Sequence, residues 1–284
     1  MKILYLNPEQ SYTYMYYSNL EERLREMVEC DAKDPDVVVY GPTWLNKPRS
    51  FTLKPGIPRI CFVHKIGLQW RRKENFLRHC DVVLSSVPKL PIKHTLFKYA
   101  VDPVIFNRGG EKVFDFGFSG ALHEAKLYPP GTFSNENLRP CIQGLARQQS
   151  DLSCFLNGSD SIKPRIKTYE AYADTIAKSK TWLATTGPNG DIGPRYYEVM
   201  ASGTLLLCDE PPEEYKDTFR DKDNCVYITK DNFVEKLRYY LEHEDEMERI
   251  IDTAYRDCME NHTWETRARE LLDICAKEIE RAAI

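Results

Sequence analysis

Glycines, an arginine and a glutamate are closely spaced between residues 187 and 198, and these residue types suit the binding of a phosphate-bearing ligand. The surrounding stretch reads TTGPNGDIGPRYYEVMASGTLLLCDE. Gly187, Gly190 and Gly193 allow the backbone to approach a ligand closely. A proline follows Gly193, and proline is favoured in the first turn of a helix. The pattern therefore predicts a glycine-rich loop and a short helix over about residues 194–202, between two buried strands.

The start of this helix combines three groups that can hold a nucleotide. Its first amides have no partner within the helix and attract anions such as a diphosphate. Arg195 and Glu198 are three residues apart and therefore share a face. We expect the amides and Arg195 to bind phosphate, and Glu198 to bind ribose hydroxyls. The alternative is a surface carboxylate favoured near a helix start, with Arg195 as its ion-pair partner.

Short, continuous apolar runs occur along the whole chain and alternate with helical patterns. Such runs are typical of strands that are buried on both faces of a parallel sheet. In the first half the expected strands cover residues 2–7, 36–41, 59–64 and 81–86, with another strand within 94–102. In the second half they cover residues 115–120, 151–157, 181–186, 204–209 and 225–229. Three charged helices are expected to close the chain, at roughly 231–243, 244–261 and 263–281.

Gly109 and Gly110 interrupt this alternation and predict a flexible joint between two α/β halves. We therefore expect two Rossmann-like parallel-sheet domains that face a cleft. The acceptor-side domain covers residues 1–108, and the nucleotide-binding domain covers residues 109–262. Residues 263–284 are expected to form a helix that packs back toward the first domain. The first half is short, so its sheet is expected to be trimmed.

Residues at strand ends are candidates for the site, because ligands of such folds bind beyond the carboxyl ends of the strands. Ser119 and Gly120 end the first strand of the second half, and their small size leaves room for a phosphate or a sugar. A plain tight turn is the alternative for this pair. Thr186 and Gly187 end another parallel strand that faces the same crevice.

The ordered residues of the second half resemble the donor-binding part of group 1 glycosyltransferases of the GT-B class, and more narrowly the spore-maturation glycosyltransferase-like branch. The matching residues are Gly193, Arg195, Glu198, Ala201, Gly203, the run TLLLCDE, His262-Thr263-Trp264 and Arg267. The string KYAVDPVIFN also resembles the V-D-x-x-x-F signature that lies where the first domain of the family gives way to the second. The resemblance covers about residues 96–275.

The resemblance implies a GT-B fold and a nucleotide-sugar glycosyltransferase of the hexosyltransferase type. It marks Arg195, Glu198 and His64 as candidate catalytic residues, with His64 hydrogen-bonding the transferred sugar or the acceptor. A lone histidine at a strand end also suits a purely structural role. One departure is clear: many members carry two glutamates eight positions apart, and the position of the first one holds Gly190 here. The sequence leaves open whether the neighbouring Asp191 substitutes for it.

Transfer from a nucleotide sugar needs a stabilised leaving diphosphate, and positioned dipoles and cations can supply this without a metal. No D-x-D motif stands at a strand end, and the letters DKD at 221–223 fall in an exposed, charged turn. We therefore expect no metal and no cofactor, since the UDP- or GDP-linked sugar is a substrate. The first strand is not followed by G-x-G-x-x-G, which argues against a nucleotide-binding oxidoreductase.

The composition of the 284 residues suits an intracellular protein with buried thiols. No apolar run is long enough to cross a membrane, and the N-terminal MKILYLNPEQ lacks the apolar region of a signal peptide. We therefore expect a cytoplasmic location, either free or at the periphery of a membrane. The nine cysteines form no CxxC pair and are expected to be free, with those at 61, 154, 208 and 225 buried.

The formal net charge of −4 is unevenly distributed. Residues 1–110 hold 17 Lys and Arg against 11 Asp and Glu, so the remainder carries about −10. The basic residues crowd one region and are Lys65, Arg71, Arg72, Lys73, Arg78, Lys89, Lys93 and Lys98. This basic cluster has two explanations. It is either a solvated surface or a surface that attracts an anionic partner, namely a phosphate-bearing glycan, a phospholipid surface or, less favoured, nucleic acid.

The leading hypothesis is therefore a metal-independent glycosyltransferase that moves a sugar from a nucleotide-sugar donor to a glycan, a lipid or another hydroxyl acceptor. The alternative is a non-catalytic nucleotide-sugar or glycan-binding protein built on the same fold. The missing first glutamate and the short first half make this alternative credible.

Overall fold

The computed structural model of the chain describes residues 1–7, 15–41, 55–63, 70–122, 138–159, 166, 168–187 and 189–284, apart from the side chains of 15–18, 71 and 72. These residues divide into two compact units. Unit 1 comprises Met1–Ala100 and Trp264–Ile284, and unit 2 comprises Val101–Thr263.

Strands and helices alternate through most of the chain, and three consecutive helices close it. The strands are β1 (Ile3–Leu6), β2 (Val37–Tyr40), β3 (Arg59–Val63), β4 (Val82–Ser85), β5 (Thr95–Leu96), β6 (Phe114–Gly120), β7 (Cys154–Gly158), β8 (Ser179–Ala184), β9 (Leu205–Cys208) and β10 (Val226–Tyr227). The helices are α1 (Met15–Met27), α2 (Trp70–Leu77), α3 (Leu138–Arg147), α4 (Tyr169–Ala177), α5 (Arg195–Ala201), α6 (Phe233–Glu242), α7 (Glu244–Asn261) and α8 (Trp264–Ala282).

Unit 1 is built on a five-stranded parallel sheet in the order β1-β2-β3-β4-β5. The four residues of β2 are all buried, as expected for a strand that is covered on both faces. The C-terminal helix α8 belongs to this unit and packs against α1. Arg267 of α8 donates a hydrogen bond from Nε to the carbonyl of Lys98, 3.1 Å away, which ties the helix to the segment after β5.

Unit 2 contains a second five-stranded parallel sheet, in the order β10-β9-β8-β6-β7. Its core includes Phe116 and Phe118 of β6, Leu207 of β9 and apolar residues of α3, α6 and α7. The chain leaves β6 toward β7 on one side and returns to β8 on the other. The neighbouring carboxyl ends of β6 and β8 therefore form the topological switch point at which doubly wound sheets bind ligands.

The predicted α/β fold with two parallel sheets is confirmed, and all ten expected strands are present. None of the described helices is long and apolar enough to span a membrane. The nine cysteines are free, although Cys154 is only partly buried.

Candidate functional site

The residues that follow β6 and β8 meet side chains of α3, α4 and α5 at the switch point of unit 2. Gly120 ends β6, and Thr185, Thr186 and Gly187 follow directly after β8. Two of the sequence-predicted pairs, Ser119 with Gly120 and Thr186 with Gly187, thus lie at this end of the sheet. Ser119 and Thr186 are both buried, so they shape the site rather than project into solvent.

Glu198 is buried within α5 and has a carboxylate oxygen to spare. Only 1 % of Glu198 is exposed, so the residue does not occupy the surface position that was the alternative to ribose binding. Its Oε1 accepts a hydrogen bond of 2.7 Å from the hydroxyl of Tyr169. Its Oε2 is buried and has no hydrogen-bond partner in the described part of the chain. Unsatisfied buried polar atoms are rare and point to a ligand or a functional constraint.

The environment of Glu198 disfavours its charge. Burial raises the pKa of this carboxyl to about 7, and the nearby Arg195 and the hydroxyls of Tyr169 and Tyr172 oppose the shift only in part. Strongly perturbed carboxyls of this kind cluster at functional sites. A ligand that supplies hydroxyl donors to Oε2 would stabilise the ionised form.

Arg195 begins α5 and lies against the end of β6. Its Nε donates a hydrogen bond of 2.5 Å to the hydroxyl of Tyr172, and the guanidinium carbon lies 5.6 Å from the centre of that ring. A Cβ atom at Gly120 would come within 2.7 Å of Arg195 Nη1. The space that the small residue leaves is therefore used by the guanidinium, where the sequence interpretation placed a phosphate or a sugar.

Arg139 is a second cation at the switch point, and sequence reasoning missed it. It lies in the first turn of α3 and donates to Thr185 Oγ1 at 2.5 Å and to the carbonyl of Ala121 at 2.9 Å. It thereby bridges the chain after β6 and the chain after β8. Arg139 and Arg195 both act on the Tyr172 hydroxyl, lowering a pKa that burial raises. No local sequence pattern marks Arg139, because its partners follow two strands that are distant in sequence.

The glycine-rich loop folds back on itself at the end of β8. The amide of Gly187 donates to the carbonyl of Asp191 at 2.8 Å, and Gly190 adopts a φ of 76°, which favours glycine. A Cβ atom at Gly187 would overlap the carboxylate of Asp191. Nothing within 4 Å would meet a Cβ at Gly193, so the backbone there borders open space. The Asp191 carboxylate thus lies beside Gly187, at the end of β8. The sequence left open whether Asp191 substitutes for the missing glutamate, and these contacts do not decide it.

The base of the loop is held by Asp209, which follows β9. Its Oδ1 accepts hydrogen bonds from the amide of Thr186 at 2.8 Å and from the hydroxyl of Tyr196 at 3.0 Å. Burial raises the pKa of Asp209, and the Thr186 amide opposes that shift. These bonds fix the strand end from which the loop departs.

The start of α5 offers fewer free amides than the sequence pattern predicts. The helix contains seven residues, and the amide of Tyr196 donates to the carbonyl of Gly193 at 3.3 Å. The amide of Glu198 donates to the carbonyl of Pro194 at 3.0 Å. The bond from Glu198 is the ordinary first bond of the helix, so the Tyr196 amide is the one whose donor is used within the loop.

Other sequence-predicted residues lie elsewhere. His64 and Lys65 lie outside the described residues. In the DKD turn, Asp221 Oδ1 accepts from the amide of Tyr227 at 2.7 Å, and Asp223 pairs with Arg220 at 2.6 Å, so both carboxylates brace the turn. The described residues contain no group of three or more His, Cys, Asp or Glu side chains arranged to hold a metal ion.

A family model described as "Glycosyl transferase-like" matches residues 142–273, a little under half of the chain. No curated protein sequence matches the chain.

Solved structures share the fold at low sequence identity. Alr3699/HepE from Anabaena, solved with UDP, is 10 % identical, with a TM-score of 0.63 over 98 % of this chain and 100 % of that one. AviGT4, a glycosyltransferase involved in avilamycin A biosynthesis, is 13 % identical, with a TM-score of 0.57 over 99 % and 98 %. TarM is 10 % identical, with a TM-score of 0.54 over 84 % of this chain, which spans about half (54 %) of TarM.

The fold is therefore that of GT-B glycosyltransferases, as predicted. The match over residues 142–273, which include Arg195 and Glu198, further supports a glycosyltransferase.

Proposed function

We propose that this protein transfers a hexose from a nucleoside diphosphate sugar to a hydroxyl group of an acceptor, without a metal ion. The observation that carries the proposal is the unpartnered, buried Oε2 of Glu198, which lies on the same short helix as Arg195 at the switch point of unit 2. A ribose offers two adjacent hydroxyl donors, and a carboxylate is a strong acceptor for them.

The two arginines are proposed to bind the donor diphosphate. Arg195 lies over Gly120, and Arg139 bridges Ala121 and Thr185, so both guanidinium groups flank the ends of β6 and β8. Arginine suits phosphate because its donors match the oxygens in pairs. Alr3699/HepE has been solved with UDP and with UDP-glucose, which makes uridine donors the first to test and GDP donors the second.

In this mechanism the protein stabilises charge and does not itself form a bond to the sugar. The bond between the anomeric carbon and the diphosphate oxygen breaks, the acceptor oxygen forms the new bond to that carbon, and the proton of the acceptor hydroxyl passes to the leaving diphosphate. Negative charge grows on the leaving diphosphate, where Arg195 and Arg139 would stabilise it. This role makes a divalent cation dispensable. His64 is proposed to hydrogen-bond the transferred sugar or the acceptor.

The acceptor is proposed to be an anionic glycan or lipid-linked hydroxyl, because residues 1–110 carry a net positive charge while the remainder of the chain is acidic. TarM has been solved with the glycan fondaparinux and with α-GlcNAc-glycerol, which supports glycan acceptors in this fold. Membership of the narrower spore-maturation-like branch stays part of the proposal.

A non-catalytic nucleotide-sugar-binding protein is the second candidate, because Gly190 stands where many group 1 glycosyltransferases, which the sequence resembles, carry a first glutamate. One experiment separates the two. UDP-, GDP-, CMP- and TDP-sugars are screened by thermal shift, and each is followed for hydrolysis and for transfer to mixed glycan acceptors, with and without EDTA.

The proposed function predicts a thermal shift together with turnover that survives EDTA. A thermal shift without turnover for any donor would favour the binding protein. Turnover that EDTA abolishes and Mg²⁺ or Mn²⁺ restores would contradict metal independence. No shift with any donor would overturn the nucleotide-sugar site itself.

A further inference from the structure

A cavity of about 740 Å³ opens in unit 1, and none of the proposed donor-site residues lines it. Its walls are the end of α2, the start of β4, the segment before β5 and the last turns of α8. The volume falls within the roughly 300–1,000 Å³ typical of small-molecule sites.

The cavity lies at the amino edge of the unit 1 sheet. Asp81 and Val82 stand at the beginning of β4, and Thr95 begins β5, and all three line the cavity. Substrates of parallel α/β sheets bind at the opposite, carboxyl edge. The position of the cavity at the amino edge therefore argues against an acceptor site and calls for another occupant.

The floor of the cavity is apolar and continuous with the core. Leu77 is 2 % exposed and Val83 is 5 % exposed, and both belong to the hydrophobic core of unit 1. Ile92 packs against this core, and Ile274 of α8 closes the other side. Contact with this floor favours an alkyl group over water.

One wall is held in place by a histidine. In His94, the ring atom Nδ1 lies 3.2 Å from the carbonyl oxygen of Ile92, and Nε2 lies 3.0 Å from the carbonyl oxygen of Val87. These contacts close the segment from Val87 to His94 into a loop. The cavity is therefore formed before any ligand binds.

The rim is basic, and two of its cations are uncommitted. Arg78, Lys93, Lys277 and Arg281 line the cavity together with only Asp81 and Glu278. Asp81 already accepts the amide of Arg59, and Glu278 pairs with Arg281 at 2.7 Å. Arg78 pairs with Glu74, which leaves Lys93 and Lys277 without an ion pair among the described residues.

We propose that this cavity binds one anionic phospholipid of a membrane surface, with its phosphate on Lys93 and Lys277 and its first methylenes on Leu77, Val83, Ile92 and Ile274. An apolar floor below a cationic rim is complementary to an amphiphile with a negative head. The volume holds a headgroup and the upper part of the chains but not two whole acyl chains, so the remainder stays in the bilayer. The protein bound in this way lies on the membrane surface, whether or not the proposed activity is correct.

The test uses the full chain and soluble, short-chain lipids. Dihexanoyl phosphatidylglycerol is titrated below its micelle concentration by calorimetry, beside dihexanoyl phosphatidylcholine and inorganic phosphate. The variant Lys93→Gln/Lys277→Gln is compared with the control Lys2→Gln/Lys33→Gln, which removes the same charge from exposed lysines outside the cavity. Ile274→Ser tests the floor separately, and co-sedimentation with phosphatidylglycerol vesicles tests the membrane.

The proposal predicts saturable binding of phosphatidylglycerol, weakened about tenfold by Lys93→Gln/Lys277→Gln and left within about twofold by the control. Ile274→Ser should also weaken it, and vesicle binding should fall in the same order. Equal losses for both double variants would reduce the effect to general charge and overturn the site. Equal binding of phosphatidylcholine, or tight binding of inorganic phosphate unaffected by Ile274→Ser, would overturn the anionic lipid.

Discussion

At the level of single residues, the donor site depends on a carboxylate whose charge the fold disfavours. Glu198 is almost fully buried, one oxygen is satisfied by Tyr169, and the other has no partner in the described chain. Such an arrangement destabilises the empty protein and favours a ligand that brings hydroxyl donors. Glu198 should therefore lower the stability of the empty protein and raise its affinity for the donor.

The first prediction concerns Glu198→Gln and pH. The pKa is raised from 4.5 to about 7 in the folded protein. A raised pKa contributes stability that is present below pH 4.5 and is lost as the pH rises through 7. The free energy of unfolding in urea should therefore rise in the variant relative to the wild type, by about 1–3 kcal/mol between pH 4.5 and pH 8. Donor affinity of the wild type should increase over the same range, while the variant binds about tenfold more weakly at pH 8.

The exposed Glu235 of α6 provides the control, since Glu235→Gln removes the same charge from a solvated position. Its unfolding curve should stay parallel to that of the wild type. Parallel curves for Glu198→Gln as well would show that burial does not perturb this carboxyl, and unchanged donor binding would remove its assignment to the ribose.

The second prediction concerns Gly120→Ala. The added methyl would come within 2.7 Å of Arg195 Nη1, the far end of a flexible side chain, so the guanidinium should move while the fold persists. UDP binding, measured by calorimetry, should weaken about tenfold because a charge-assisted contact is displaced. Gly144→Ala in α3 meets nothing within 4 Å and should leave UDP binding unchanged. Equal affinity of both variants would contradict the role of Arg195.

At the level of elements, the sequence predicts the strands better than the site they assemble. The runs of β2 and β9 are apolar at every position, because both faces of these strands are covered, and they were identified without ambiguity. The strand expected within residues 94–102 is present but short: β5 covers Thr95–Leu96, at the edge of its sheet, where a strand has a neighbour on one side.

The contacts of the site depend on sheet order, which no local pattern contains. Arg139 is recognisable only when β6 and β8 are known to be neighbours, because its partners lie after each of them. The role of Gly120 depends likewise on where Arg195 points. The sequence predicts Arg195 and Glu198 as site residues because the glycines and the proline that mark the loop directly precede them.

The third prediction concerns the connections that hold α4 and α5 in place. Lys112 is half-buried before β6, and its ammonium donates to the carbonyls of Ala177, Ser179 and Gly203 at 2.8, 3.0 and 2.6 Å. Lys112→Met would leave these carbonyls without this donor. The free energy of unfolding in urea should fall by about 2–4 kcal/mol.

Lys178 is the matched control, because its ammonium pairs with Asp174 on the surface at 2.8 Å. Lys178→Met should cost no more than about 1 kcal/mol. A loss for Lys112→Met as small as that of Lys178→Met would show that the three carbonyls are satisfied without the lysine.

At the level of the whole molecule, the two units differ in charge. Unit 1 holds 20 Lys and Arg against 15 Asp and Glu, a net charge of +5, and unit 2 holds 19 against 28, a net charge of −9. The proposed site for the donor phosphates lies in the acidic unit, so local cations such as Arg139 and Arg195 would have to hold them. The acceptor, in contrast, would meet a unit whose overall charge attracts anions.

The last prediction therefore concerns the salt dependence of the acceptor. Exposed charges act over a Debye length of roughly 10 Å at 0.1 M salt, so their attraction weakens as salt rises. The KM of an anionic glycan acceptor should increase from low to moderate salt, and Arg71→Glu/Arg72→Glu should raise it further with the donor KM unchanged. Lys2→Glu/Lys33→Glu makes the same change of charge elsewhere in unit 1 and should have a smaller effect. A flat salt profile, or equal effects of both double variants, would mean that the basic character of unit 1 serves only its solvation.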